Sequence, residues 1–483
     1  MSRWNNQSLA RLGTNFLVLA LVLIEAPHLL SQSSNVDAQS SAHTQAASIG
    51  DSLRRSGDAP LHILYLHGIG ATGAGDSLLI RQSICAYLKD CTSAAGDSHG
   101  REYADQGEFA LNAQPPTLTY MGSAIWKSQQ EWSASAPFVD HYVLTRKTGK
   151  TILVDEINWW PVVFPLKCRN ILPEEVKLAG TDGNYLNLCA TLAPDIGIVG
   201  RYDYYPWIAM GTATTLESEP SKAVVLNRKL KIDLMDWGFS EALLSVGPVH
   251  ELLIEGIRQV MMKSVAASGD QAKALSAGAG FTGAKDSEYM VISHSLGSFL
   301  VFSALNSENG STIALSGDAA NRSRTFGYVL AHLEQAYFFA NQVPLLELAQ
   351  LGPGSSGAAH GAMAPLPGTE VEQASEAQAG STVSSSFAAD LANWTAKRAT
   401  FQNAPGPFRH ASARTQQIVA WSDPNDLLSW ELPDIQGINI VNLHPKNSIR
   451  WLWLFENPLA AHDNYAKNKD VIRALLKPKQ AAP

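Results

Sequence analysis

The stretch Tyr289 to Phe299, YMVISHSLGSF, constrains the fold of this chain more than any other. Tyr289, Met290, Val291 and Ile292 are a short apolar run suited to a buried strand, and Leu296, Phe299, Leu300 and Phe302 then recur at helical spacing. Strand, sharp turn and helix must therefore follow one another directly. A serine at the centre of such a turn is lifted above the sheet edge, and the backbone N–H after it is left free to face a developing negative charge. The residues two before and two after that serine must be small, because the turn presses backbone against backbone. Gly297 meets this demand fully, and Ser293 meets it less well than a glycine would. An ordinary serine-rich connection would read the same over these residues alone, so the remainder of the chain has to decide.

The 483 residues, 45% of them hydrophobic, suffice for a large core in one domain or several smaller ones. Lys and Arg number 36 against 44 Asp and Glu, a net charge of −8 spread without long runs of one sign. That balance lacks the basic face of a nucleic-acid binder, and no nucleic-acid partner is expected.

At the N-terminus, Arg3 and Arg11 precede the apolar run Phe16 to Ile24, which Glu25 and Pro27 interrupt. The run is shorter than the roughly 20 residues of a membrane span. This is the layout of a secretory signal peptide over residues 1–38, with Val36-Asp37-Ala38 as its cleavage site and a secreted or periplasmic destination. An uncleaved anchor over Leu12 to Leu30 is the competing reading. The four cysteines, Cys85, Cys91, Cys168 and Cys189, are an even count, which in an exported chain points to disulfides. The local pairs Cys85–Cys91 and Cys168–Cys189 are expected. No C-x-x-C and no histidine at ligand spacing accompanies them, so a metal site is not expected, and the chemistry read from the remaining pieces below requires no cofactor.

Residues 39–58, rich in Ser, Ala and Gln, read as a disordered leader. Leu61 to Leu66, LHILYL, is a compact strand that runs into His67-Gly68-Ile69-Gly70, and Leu78 to Leu88 is the first helix. Glycines after a strand let backbone N–H groups point into a site, but the phosphate-binding G-x-G-x-x-G spacing is missing and no Walker lysine follows. Over about 100–240 the chain reads as an insertion rich in tryptophan (Trp126, Trp132, Trp159, Trp160, Trp207 and Trp237), either a cap lining an apolar pocket or core packing. Within it, Tyr142 to Ile157 looks like a hairpin turning at Lys147 to Lys150, whose second strand, Ile152 to Ile157, suits a core. Phe239 to Met262 is helical with a second start at Pro248, Ala336 to Leu346 reads as a strand, and Phe387 to Phe401 reads as a short helix. Residues 352–386 lack large apolar side chains and read as a disordered insertion.

Two further strands follow, Gln417 to Trp421 and Gly437 to Leu443. The first delivers Asp423 and Asp426 into a loop. Asp426 is preferred as an acid because Leu427-Leu428 behind it would bury its far side, whereas Asp423, before Pro424, looks like a turn former. Beyond the second lie His444, beside Pro445, and His462, at the mouth of a C-terminal helix over Asp470 to Leu476. His462 is preferred and His444 is the alternative.

The pieces LHILYLHGIG, YMVISHSLGSF, IVAWSDPNDLL and AAHDNYAKN, in that order, resemble an α/β-hydrolase of the lipase and serine-esterase type. The resemblance implies a mostly parallel sheet with helices on both faces over residues 59–483, and a Ser295, Asp426 and His462 triad. It also implies an oxyanion hole from the backbone of Leu296 and of Ile69 or Gly70. His67 would be structural rather than a base. The implied substrate is a small-molecule or lipid carboxylic ester, with contact to a membrane surface as a further expectation. Two departures stand out: Ser293 replaces the first glycine of G-x-S-x-G, and the long spacing from His67 to Ser295 implies a large cap. A catalytically silent protein of this fold, acting as a binding or envelope-interaction module, is the alternative of another class.

Overall fold

The computed structural model describes residues 48–54, 60–69, 75–89, 91, 98–104, 136–144, 146, 151–170, 238–247, 250–267, 288–306, 329–330, 332–350, most of 391–399, 416–435, 438–447, 450–451, 455–456 and 458–477. An eight-stranded sheet organises them. Its strands are β1 (Leu61–Leu66), β2 (Ser98–Tyr103), β3 (Phe138–Leu144), β4 (Ile152–Asn158), β5 (Glu288–His294), β6 (Leu333–Phe339), β7 (Gln417–Trp421) and β8 (Asn439–Leu443), in the order β2-β3-β4-β1-β5-β6-β7-β8. β4 to β8 and β1 run parallel, and β2 and β3 form an antiparallel edge. β1, β6 and β7 are buried along their whole length, as strands covered on both faces must be, whereas β8 at the edge is half-buried throughout.

Helices cover both faces. On one side α1 (Ile49–Arg54), α2 (Leu78–Leu88) and α9 (Lys469–Leu476) bury Ile49, Ile80, Ile84, Val471 and Leu475 against Ile63, Tyr65, Ile292 and Phe339. On the other, α3 (Trp160–Asn170), α4 (Ser240–Val246), α5 (His250–Ala267), α6 (Leu296–Asn306) and α7 (Val343–Gln350) pack on Leu64, Leu66, Val291 and Phe338. Phe299, Leu300 and Phe302 of α6 are fully buried there, worth roughly 1.5–3 kcal/mol each. α8 (Pro458–Asp463) lies just before α9.

The topology locates a crevice. From β1 the chain moves to one side through β2, β3 and β4, then crosses to β5 on the other side of β1 and continues outward to β8. Neighbouring strands whose connections depart in opposite directions leave an opening beyond their carboxyl ends, where ligands of open α/β sheets bind. Leu66 at the end of β1 lies in register with Ser293 near the end of β5, so His67-Gly68 and Ser295 emerge side by side at that opening.

Several expectations need correction. Residues Ile49–Arg54, expected within an unstructured leader, form α1: Ser48 and Asp51 cap each other, and Ile49 is buried beside α9. A serine- and alanine-rich composition concealed this anchor because only two apolar side chains, Ile49 and Leu53, carry it. Strands β3 and β4 and helix α3, expected within a cap over 100–240, belong instead to the sheet on one side of β1 and to its cover, since Val139 and Ile157 face the core and β4 pairs with β1. The expected hairpin is there, β3 against β4, and Trp159 is a core residue. Residues 105–135 and 171–237 of that insertion lie outside the described residues. The strand expected over Ala336 to Leu346 sits earlier, at Leu333–Phe339, because Ala340 turns the chain at a φ of 49° and α7 starts at Val343. Cys85 and Cys91 form a disulfide, while the signal peptide, the 352–386 insertion and the Cys168–Cys189 pairing lie outside the described residues. Among the described residues no helix is long and apolar enough to cross a membrane.

Candidate active site

Ser295 occupies the turn between β5 and α6 with a φ of 54°, a left-handed conformation that costs a non-glycine residue about 1–3 kcal/mol. The turn holds because its backbone is tied: Ser295 N–H donates to the Phe339 carbonyl at 2.8 Å, and Ser298 N–H donates to the Ser295 carbonyl at 3.0 Å. Gly297 must be glycine, since a Cβ there would stand 2.5 Å from the His67 carbonyl oxygen and 2.8 Å from that of Leu66. Ser293 fits where a glycine was expected because its hydroxyl is satisfied internally, donating to Ser298 Oγ at 3.0 Å. The departure at Ser293 is thus accommodated by a polar partner one helical turn away.

The Ser295 hydroxyl donates to His462 Nε2 at 2.8 Å, and His462 Nδ1–H donates to Asp426 Oδ1 and Oδ2 at 2.9 and 3.0 Å. All three side chains are buried. The carboxylate fixes the tautomer: with the proton on Nδ1, Nε2 is left as an acceptor for the serine proton. Burial works to raise the Asp426 pKa, but the His462 hydrogen bond and charge, with the Leu428 N–H and Ser429, hold it below the ordinary carboxylate value. The acid therefore stays ionised beside the imidazole.

The loop after β7 holds the acid by other means than expected. Leu427 is 72% exposed, so it buries no face of Asp426. Leu428 N–H donates to Asp426 Oδ1 at 3.0 Å and the Tyr465 hydroxyl to Oδ2 at 3.2 Å. That hydroxyl in turn accepts the Asp423 N–H at 2.6 Å. Asp423 shapes the loop, accepting from Asn425 N–H at 2.8 Å and Asn447 N–H at 2.6 Å, and Asn447 reaches the Ala461 carbonyl beside His462 at 3.0 Å. Asn341, after β6, ties its carbonyl and amide to the Trp430 backbone at 2.8 Å each. His444 donates to the Ser422 carbonyl at 3.2 Å, faces the Glu431 carboxylate and takes no part in the triad.

The loop after β1 closes the other side. Gly68 lies so close to the elbow that a Cβ on it would meet Ser295 Cβ and His294 Nδ1 at 2.8 Å each. His67 is held as a structural group, donating from Nδ1 to the Gly68 carbonyl at 2.8 Å and stacking on Trp159, whose indole N–H donates to the His67 carbonyl at 3.1 Å. At the far end of this loop the Glu156 carboxylate accepts from the backbone N–H groups of Gly75, Asp76 and Ser77 at 2.6–3.1 Å, occupying the N-terminus of α2. Leu296 opens α6, where a helix leaves its N–H groups without an intrahelical partner. Ile69 follows Gly68 and is half-buried, and Gly70 lies outside the described residues. Among the described residues no three His, Cys, Asp or Glu side chains are grouped as a metal site would require.

Comparison with protein-family models, with curated proteins and with solved structures returned no match in any of the three, so the site is read from its own geometry.

Proposed function

We propose that this chain is an exported serine hydrolase of α/β-hydrolase fold that cleaves carboxylic esters through a covalent acyl-enzyme. The observation that carries the reading is the continuous hydrogen-bonded chain from Asp426 through His462 to a serine in a left-handed strand-to-helix turn. Ser295 Oγ attacks the ester carbonyl as its proton passes to His462 Nε2. Collapse of the tetrahedral intermediate expels the alcohol, which takes that proton, and leaves the acyl group on Ser295. Water then attacks, deprotonated by the same imidazole, and releases the acid. Asp426 keeps Nδ1–H directed and stabilises the imidazolium of both steps. The oxyanion is held by the N–H of Leu296 and by that of Ile69 or Gly70, each such donor contributing about 3 kcal/mol in the transition state. The N-terminus of α6 adds a favourable field at the same point.

Esters are preferred to peptides on the resemblance of the four sequence pieces to lipases and esterases. Hydrolysis of nitrophenyl esters of graded chain length by the purified chain and by Ser295→Ala tests the assignment. The wild type is expected to turn over and the variant to lose at least 10³-fold in kcat. Equal activity in the variant would remove Ser295 as nucleophile, and an inactive but folded wild type would favour the silent binding module.

A further inference from the structure

His294, the residue before the proposed nucleophile, touches the end of α8 as well as its own turn. Its Nε2 lies 3.0 Å from the backbone carbonyl of His462, and its ring meets the His462 ring edge-to-face at 5.3 Å. A carbonyl only accepts, so Nε2 carries the proton and the neutral ring leaves Nδ1 bare. Nδ1 faces the Gly68 backbone, near enough that a Cβ at Gly68 would strike it at 2.8 Å. One imidazole is therefore wedged between the loop after β1 and α8, which carries His462.

The contact fills a need set by local structure. His462 sits in the last turn of α8, where backbone carbonyls have no N–H four residues on to pair with. Its carbonyl can be satisfied from outside the helix, and His294 supplies the donor. We propose that His294 is a positioning residue for the reaction described above: its Nε2–H anchors the His462 backbone, so that the imidazole keeps its reach to both Ser295 and Asp426 while it takes and returns a proton. This rests on the hydrolase reading of the site. The anchor works without adding charge. Burial disfavours the cation, and the adjacent His462 imidazole opposes it further, bringing the His294 pKa down to about 4. A cation in this place would resist the imidazolium that His462 must become.

The test compares His294→Leu, which removes the donor, with His294→Gln, whose amide nitrogen stands near the position of Nε2. With nitrophenyl ester, the Leu variant is expected to lose about 10- to 100-fold in kcat with KM within about twofold, the scale of a misplaced catalytic group, and the Gln variant to recover most of that loss. Equal thermal melts for the two variants separate positioning from folding. Imidazole ¹H–¹⁵N spectra of the wild type read the anchor independently of turnover: His294 should appear as the Nε2–H tautomer and remain neutral at pH 5. Full kcat in the Leu variant, no recovery in the Gln variant, or an Nδ1–H tautomer for His294 would overturn the proposal while leaving the hydrolase reading intact. A folded wild type without esterase activity would overturn both.

Discussion

Gly297→Ala isolates the steric demand of the turn without touching any group that takes part in chemistry. The added Cβ would lie 2.5 Å from the His67 carbonyl oxygen, 2.8 Å from the Leu66 oxygen and 3.1 Å from the Leu66 carbonyl carbon. All three are backbone atoms at the end of β1, which is hydrogen-bonded to β4 and β5 on either side, so no side chain can swing away to relieve them. Overpacking of this kind costs about 1–3 kcal/mol, and contact with fixed backbone places it at the upper end. Alanine recovers part of about 1 kcal/mol through its better helix propensity, less than the full amount in a first turn. The net loss is about 2 kcal/mol, roughly a thirtyfold fall in the folded to unfolded ratio. Relief of the clash must push α6 away from β1, which separates Ser295 from the loop at Gly68. Urea unfolding followed by tryptophan fluorescence reads the stability, and ester turnover reads the site, where at least a tenfold loss is expected with the triad chemically intact. A wild-type unfolding midpoint together with wild-type turnover would refute the reasoning.

Tyr465→Phe removes the hydroxyl that donates to Asp426 and accepts the Asp423 N–H. A drop of about 1–3 kcal/mol in urea-measured stability is expected, with lower kcat, and an unchanged kcat would show that Asp426 needs no such support. A second polar pair, His141 and Asp155, faces across β3 and β4 with Nδ1 donating to the carboxylate at 2.7 Å. Burial would lower His141, but Asp155, with Glu102 and Asp140, raises it above its ordinary value. Burial would raise Asp155, but His141 and His62 lower it. The raised histidine stabilises below about pH 6.5 and loses that effect as pH rises through its folded value. The lowered carboxylate stabilises above about pH 4 and loses it as pH falls further. The stability difference between wild type and His141→Gln should therefore be largest near pH 5–6 and shrink above pH 7, and a difference that grows with pH would contradict the pairing. Reduction of Cys85–Cys91, which closes a loop over a sequence separation of 6, should cost about 2 kcal/mol on the same urea assay. No shift on reduction would show the bridge to be dispensable.

How much of this was legible in the sequence depended on whether the signal was local. LHILYL and QIVAW are compact, mostly apolar runs, and β1 and β7 fall on the boundaries read from them. Leu78–Leu88 was equally clear as a helix. The turn at Ser295 was marked by its small residues, and its serine does adopt the left-handed backbone that such a turn demands. Local pattern favours Asp426 and His462 over Asp423 and His444, and in the structure His462 meets Ser295 while Asp426 meets His462. Leu427, however, points to solvent, and the Leu428 N–H and the Tyr465 hydroxyl support Asp426 instead. Asn341, Asn447, Tyr465 and His294 escaped as supports because each acts through hydrogen bonds to residues distant in sequence. Such bonds leave no periodicity. The place of β2 to β4 in the sheet was hidden for a related reason, since pairing order is set by long-range register rather than by composition.

The most direct test of the central claim is labelling of the folded, purified chain with a fluorophosphonate, followed by peptide mapping. A serine whose proton is drawn toward His462 is expected to form a single covalent adduct, mapped to Ser295 and absent in Ser295→Ala. Absence of an adduct on a chain with an intact fold, or an adduct mapped to another serine, would contradict it.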